Sequence, residues 1–565
     1  MGSLMKTYEQ FSREELIELL HKQDKELARK KYGLVWDSEK EPEQVVIDCA
    51  KKLPVLKNIS KNDIKTNDDD FNIMIEGDNY HALQVLNYTH KEKIDFIYID
   101  PPYNTGKAKE WKYNDRYIDA NDGYRHSKWL NFMEKRLDLA KSLLSPNGFI
   151  AISINDIEQS NLKLLCDKVF GQNYFYAQLT WINRTQPTNM GKAMYNIQKD
   201  IDYVLVYGRK NPTQFPGFRL YELEEKSYPE KDAKGHSFRL EALAQRKNKG
   251  TLKRDSMLFP VLDISPKEGY RWQISFEKYQ ELKQKNRLIK RGEKIYQKIY
   301  PEDEENKSTL MPFWSHMEDV DTSQTGKKEL NEILGPAQEL ETVKPLSLLQ
   351  TLLFHMTHKN SIVLDFFAGS GTTGHAVMEL NKKDCGKRHF IVCTNNEGNI
   401  ASQICYPRLQ KAIMGYKKYG NEEHIDGLGG NLKYFTTDFV TNSKNRTQTK
   451  INLSKRCAEM LCVKTGIFNL INNQSTSFKI YENNRRNEFL CIYFDVFGEE
   501  EISTFIKAIK NLNGKKNIFV FSLDNTVDES LFEGIKDVVI EPIPQKILDV
   551  YKSISKQHIK GIKND

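Results

Sequence analysis

The strongest constraint on how this chain folds is the run Lys93-Ile94-Asp95-Phe96-Ile97-Tyr98-Ile99. It ends in Asp100-Pro101-Pro102-Tyr103 and then Asn104-Thr105-Gly106. β-Branched and aromatic residues bounded by Pro, Asn and Gly predict a strand of a parallel sheet covered on both faces. In open α/β sheets ligands gather just beyond the carboxyl ends of the strands, where Asp100 to Tyr103 fall. Taken alone, the stretch also suits an ordinary strand closed by a proline turn.

The tetrad has the groups needed to handle the exocyclic amine of a nucleobase. That amine is a poor nucleophile because its lone pair is delocalised into the ring, so acceptors must hold its N–H groups while the nitrogen becomes tetrahedral. Asp100 offers a carboxylate and Pro101 a carbonyl oxygen. The two prolines fix φ and bring no competing N–H. Tyr103 offers a ring on which a base taken out of the helix can stack.

A second apolar run, Ser361-Ile362-Val363-Leu364-Asp365-Phe366-Phe367, leads into Ala368-Gly369-Ser370-Gly371-Thr372-Thr373-Gly374 and a helix-like stretch. Glycines at such a strand-to-helix turn let the backbone approach a ligand closely. Glu397, after the apolar Phe390-Ile391-Val392-Cys393, is placed to bind a ribose hydroxyl pair at the next strand end. The glycine run also fits the nicotinamide-dinucleotide fingerprint, so a dehydrogenase is an alternative on this motif alone.

Together the two stretches resemble the DNA amino-methyltransferases, whose S-adenosyl-L-methionine loop reads F-x-G-x-G and whose catalytic tetrad reads [DNS]-P-P-[YFW]. The tetrad precedes the loop by roughly 265 residues, the order of the family's β class, and Asp-Pro-Pro-Tyr is its usual adenine-N6 form. The resemblance is closer still to the modification (Mod) subunits of Type III restriction-modification systems. It includes Met74-Ile75-Glu76-Gly77-Asp78-Asn79, Asn104-Thr105-Gly106, Lys344-Pro345 and Thr394-Asn395-Asn396-Glu397. It implies a Rossmann-like, doubly wound, mostly parallel α/β sheet with Asp100, Pro101, Pro102 and Tyr103 as catalytic residues. The implied cofactor residues are Asp78, Lys344, Asp365, Phe367, Ala368, Gly369, Ser370, Gly371, Thr372, Thr373 and Glu397, with Asp78 near the adenine end and Lys344 near the methionine end. Double-stranded DNA, a second copy of the chain and a restriction subunit are the implied partners.

Length suggests three or four domains. The expected parts are an N-terminal helical segment (1–60), a catalytic half (61–210), an inserted target-recognition domain (211–335), a cofactor half (336–438) and a C-terminal α/β domain for subunit contacts (439–565). In the insert the strand and helix alternation is lost. Residues 211–300 carry 20 Lys+Arg against 12 Asp+Glu, a surplus larger than the +7 of the whole chain. A basic segment is what phosphate contact requires; Arg246, Lys247, Arg254 and Arg271 are candidates for DNA contact. Trp111, Tyr113 and Tyr117, in the loop after the tetrad, are placed either to hold a flipped base or simply on the surface.

The eight cysteines are scattered, with no C-x-x-C pair or zinc spacing, and read as reduced thiols of a cytoplasmic protein without a metal. No apolar run of 18 or more residues and no signal peptide is present, so neither a membrane span nor secretion is expected. Cytosine-N4 transfer, a solitary methyltransferase and a mainly DNA-recognising subunit of a restriction complex remain alternatives. No G-x-x-x-x-G-K-[ST] loop occurs, so ATP-driven cleavage would need another polypeptide.

Overall fold

A computed structural model gives the fold. It describes residues 43–558 apart from 68–69, 108–109, 115, 186–194, 196, 223–226, 247–254, 305–309, 337–339, 341, 422, 473–474 and 495–498, together with 12–13, 16–17 and 20–21. The Leu-spaced stretch 8–32, whose spacing predicts an amphipathic helix in the N-terminal segment, lies largely outside the described residues.

Ten strands form the main sheet: β1 (Lys52–Asn58), β2 (Phe71–Glu76), β3 (Ile94–Ile99), β4 (Leu144–Ile154), β5 (Phe175–Ile182), β6 (Ile201–Gly208), β7 (His316–Met317), β8 (Ile362–Asp365), β9 (His389–Thr394) and β10 (Asn431–Thr441). Their spatial order is β1-β10-β2-β9-β8-β3-β4-β6-β5-β7. The six from β10 to β4 are parallel, while β1 is antiparallel to β10, β6 is antiparallel to β4 and β5, and β7 is parallel to β5. This is a mostly parallel α/β sheet, as the near-continuous apolar runs of β3 and β4 require. One part of the expected N-terminal helical segment is corrected. Among the described residues 13, 16–17, 20–21 and Gln44–Lys51 are helical, and Lys52–Asn58 is an edge strand with Leu53, Val55 and Leu56 buried.

The topology sets up the site. Parallel strands aim their carboxyl ends at one edge, so the residues after β2, β3, β8 and β9 gather there. The chain leaves β3 at Asp100 and returns beside it at β8, where Val363 and Leu364 pair with Phe96 and Ile97. Helices Asn79–Thr89, Arg125–Leu143 and Thr372–Asp384 cover the faces, burying Tyr80, Leu83, Trp129, Met133, Ala376 and Val377.

A second compact unit, Leu220–Phe313, has its own antiparallel sheet and a core of Leu243, Val261, Trp272, Tyr279, Leu282, Leu288 and Ile295. It is narrower than the expected 211–335, because β7 joins the main sheet and helix Ser323–Leu334 belongs to the first unit. The charged run 276–290 is helical only to Gln284, with Ser275 capping its start, and Leu288–Arg291 is a strand.

The C-terminal part forms a five-stranded sheet, and its helix Glu499–Lys510 covers a small core around Phe505. Its other face is continuous with the main core through Leu490, Ile492 and Phe519. Ile547–Tyr551, an apolar run that by itself suits a strand, lies in helix Gln545–His558, whose Tyr551 hydroxyl donates to the Pro54 carbonyl. Among the described residues no helix is long and apolar enough to cross a membrane, and no His, Cys, Asp or Glu cluster is arranged to hold a metal. All eight cysteines are free thiols, and all but Cys385 are buried.

Candidate active site

Asp100 follows β3 directly, and the two prolines turn the chain away from the sheet. The Pro102 carbonyl accepts the Trp129 indole N–H at 2.7 Å, which fastens the turn to the helix beneath it. Asn104 comes next in the left-handed region, at φ 56°. Its buried amide donates to Glu158 at 2.5 Å and accepts from the Trp111 indole at 3.1 Å. Asn tolerates that conformation because its short polar side chain bonds locally. The Asn104-Thr105-Gly106 extension therefore anchors the end of the tetrad.

The glycine loop is built from within. Asp365, 2 % exposed, accepts the Phe367 N–H at 2.9 Å and the Thr373 hydroxyl at 2.5 Å, closing strand tip and helix start into one turn. Burial pushes its carboxyl up to about 7, against the pull of those two bonds. Gly371, at φ 75°, leads into helix Thr372–Asp384. A Cβ there would sit in strained backbone, 3.1 Å from the Cys405 sulfur. Ser370 and Thr372 are buried and share a hydrogen bond at 3.0 Å, and Arg408 donates to Thr372 at 2.7 Å and to Ser370 at 3.3 Å. Ala368 donates its N–H to the Cys393 carbonyl, tying the loop to β9. The side chains of Asp365, Ser370, Thr372 and Thr373 thus shape the loop, and its outer face is backbone and glycine.

Arg408 is fully buried, and burial lowers its guanidinium to about 10. Sequence reasoning missed it. Its only signal was an arginine on the apolar face of helix Tyr406–Met414.

Asp78 ends the β2 connection as the cap of helix Asn79–Thr89, accepting the Tyr80 N–H at 2.7 Å. The Asn79 amide donates to the Phe366 carbonyl at 3.0 Å, so the β2 and β8 tips are laced together. Glu397, expected to take a ribose hydroxyl pair, accepts the Tyr117 hydroxyl at 2.6 Å and pairs with Lys112 at 2.5 Å. The hairpin of Lys112–Tyr113 and Arg116–Tyr117 thereby reaches from the β3 side to the β9 tip. Trp111 and Tyr113, expected at a flipped base or on the surface, are instead core residues, 6 % and 2 % exposed. Tyr117 alone of the three is exposed.

Lys344, expected near the methionine end of a cofactor, sits on the Asp100 carboxylate. Its ammonium donates to both oxygens of Asp100, at 2.8 and 2.7 Å, and lies 5.0 Å from the Tyr103 ring and 5.9 Å from that of Trp181. Trp181 pairs across the β5/β6 ladder with Asp202. Burial pushes the Asp202 carboxyl up, Lys344 and the Asn183 amide pull it back, and Asp100 adds to the rise. No sequence signal marked Trp181 or Asp202, which occupy plain strand positions. Of the DNA-contact candidates, Arg271 lies on the short strand Tyr270–Trp272 in the second unit. Lys247, Arg254 and the Arg246 side chain lie outside the described residues.

The edge thus sets a carboxylate, a proline turn and an aromatic ring beside a glycine loop flanked by acids. Residues 94–405 match the family model described as DNA methylase. The chain is 32 % identical over 367 residues to the Type III restriction-modification enzyme StyLTI Mod subunit of Salmonella typhimurium, covering 60 % of this chain and 55 % of that protein. It is 31 % identical over 463 residues to the EcoPI Mod subunit of Escherichia phage P1, covering 72 % and 70 %. With the Type II methyltransferase M.KpnI of Klebsiella pneumoniae it shares 30 % over 354 residues, covering 58 % and 82 %. The match runs from the start of β3 to the helix behind the glycine loop, and with it the chain belongs to the DNA methylase family.

Proposed function

We propose that this chain transfers a methyl group from S-adenosyl-L-methionine to N6 of a flipped adenine in duplex DNA. We read it as the modification and specificity subunit of a Type III restriction-modification system. The observation that carries the chemistry is the pairing of β3 with β8, which brings Asp100 and the glycine loop to neighbouring strand tips. The likeness to two Mod subunits supports the Type III reading.

The residues suit the cofactor. A Cβ at Gly369 would meet nothing closer than 3.8 Å, so the loop has an open face, and Asp78 and Glu397 border it as hydroxyl and amine acceptors. Asp78, Glu397 and the backbone of 367–371 would hold the cofactor, which supplies an electrophilic sulfonium methyl. Asp100 and the Pro101 carbonyl accept the two N–H groups of the amine and let its lone pair turn outward. Tyr103 carries the base on its ring. Holding reactants in line can lower the barrier by about 7 to 11 kcal/mol. Unit 220–313, which spans most of the basic stretch 211–300, is the proposed DNA reader, and the C-terminal sheet is the proposed contact for a second copy or a restriction subunit. The cytoplasm is the expected compartment.

Incubation with methyl-labelled S-adenosyl-L-methionine and mixed-sequence duplex DNA, followed by nucleoside analysis, tests this. Label in N6-methyladenine is the expected result. Label in N4-methylcytosine overturns the base, and failure to bind the cofactor overturns the reaction.

A further inference from the structure

Lys344 is held more firmly than cofactor contact alone demands. Its side chain is 8 % exposed and its ammonium is committed to both oxygens of Asp100. The backbone beneath it is clamped. A Cβ on Gly326 would stand 2.4 Å from the Val343 carbonyl oxygen and 2.8 Å from the Pro345 nitrogen, so only glycine lets helix Ser323–Leu334 lie there. On the same helix, Glu329 accepts the Leu346 N–H at 3.0 Å. Asp100, the partner of Lys344, is 31 % exposed, and an ion pair open to solvent on one side adds little net stability. Stability alone therefore does not account for so constrained a lysine.

We propose that Lys344 is a positioning residue for methyl transfer, fixing the rotation of the Asp100 carboxylate so that its remaining acceptor sites meet the target amine. This rests on the methyltransferase reading above. The terminal torsion of Asp is soft and roughly two-fold, so an unanchored carboxylate samples many rotations. A carboxylate offers about four acceptor positions; the ammonium occupies one on each oxygen and leaves the others open, one of them for the N–H that Asp100 accepts while the Pro101 carbonyl takes the second. The Tyr103 and Trp181 rings, at 5.0 and 5.9 Å, hold the ammonium from the sides. A carboxylate set this way presents its lone pairs in one direction, as an in-line displacement requires.

The test is single-turnover methyl transfer in Lys344→Ala and Lys344→Arg, with cofactor and DNA affinities measured alongside. Lys344→Ala should slow the chemical step by about 100-fold while both affinities stay close to those of the parent protein, which also reports an intact fold. Lys344→Arg, which keeps a two-pronged donor, should retain much of the rate. Ethylammonium added to Lys344→Ala should restore rate saturably, and tetramethylammonium, with charge but no N–H, should not. A loss confined to cofactor affinity, or equal rescue by both cations, overturns the proposal. Methyl transfer by Asp100→Ala would sink the underlying reading instead. An inactive Asp100→Ala beside a fully active Lys344→Ala sinks only the role given to Lys344.

Discussion

At the carboxyl edge of the main sheet, charged groups meet partners from far along the chain. Lys344 finds Asp100 across 244 residues, and Tyr117 finds Glu397 across 280. In unit 220–313 several pairs are local and exposed: Lys278 and Lys285 both lean on Glu281 within one turn of helix, and Arg287 meets Asp303. Lys344, with an 8 % exposed side chain, is held on Asp100 because the fold fixes both ends of the pair; the Tyr117–Glu397 bond is exposed but likewise joins segments far apart in the chain. Exposed pairs are worth little and are screened by salt. One region spends its charges on a fixed geometry, whereas the other keeps them exchangeable, which suits contact with phosphates. The insert's surplus is also smaller in effect than the count suggests, since Arg239, Lys267 and Arg291 also have carboxylate partners.

The comparison breaks most readily at Asp100. Asp100→Ala should reduce methyl transfer roughly 1,000-fold or more with cofactor affinity little changed, as measured by label transfer and calorimetry. Retained activity would mean that the edge is not the chemical centre.

Next comes the insert. Arg271, Lys290 and Lys294 carry no ion pair among the described residues. Replacing all three with Ala should lower the slope of log affinity against log salt by up to roughly 0.9 for each lost phosphate contact. Removing Lys278 and Lys285 should change the slope less, because Glu281 already balances them. Equal changes in the two variants would erase the distinction between paired and free charge.

A smaller effect is expected at Asp365. Its carboxyl is raised from 3.8 to about 7 by burial. A raised acid contributes its full stability below its unfolded value and loses it as pH climbs through the folded value, each tenfold difference in proton affinity being worth about 1.4 kcal/mol. Asp365→Asn should therefore flatten the decline of melting temperature between about pH 4 and pH 7. A decline as steep as in the parent protein would remove Asp365 as its source.

The smallest effect belongs to Tyr117→Phe. Losing one partly exposed hydrogen bond to Glu397 should speed cofactor dissociation only a few-fold, in line with about 1 kcal/mol for such a bond. Stopped-flow measurement decides it, and unchanged rates would separate the hairpin from the cofactor site.

Strands β3 and β8, their aspartates and the glycine loop were legible because strand periodicity, proline and glycine act over a few residues. The same local logic misread Trp111 and Tyr113. Nothing in a loop's composition tells a buried ring from an exposed one when the helix that covers it, Arg125–Leu143, lies elsewhere in the chain. It also misjudged Lys52–Asn58, since an edge strand is defined by its partner, here β10. Asp365, Ser370, Thr372 and Thr373 were rightly gathered into one loop, yet their side chains brace that loop from behind, where only packing against Arg408 and helix Tyr406–Met414 could place them.

By itself, the sequence determined the parallel sheet, the two strand tips that carry Asp100 and the glycine loop, and the order in which the chain visits them. Hydrophobic pattern and turn residues impose their geometry locally, and that information is written in consecutive positions. Only the tertiary structure decided that Lys344 lies on Asp100, that Glu397 is held by Tyr117 and Lys112, and that Arg408 sits behind the glycine loop. Each of these is a contact between residues tens to hundreds of positions apart, fixed by strand order and burial.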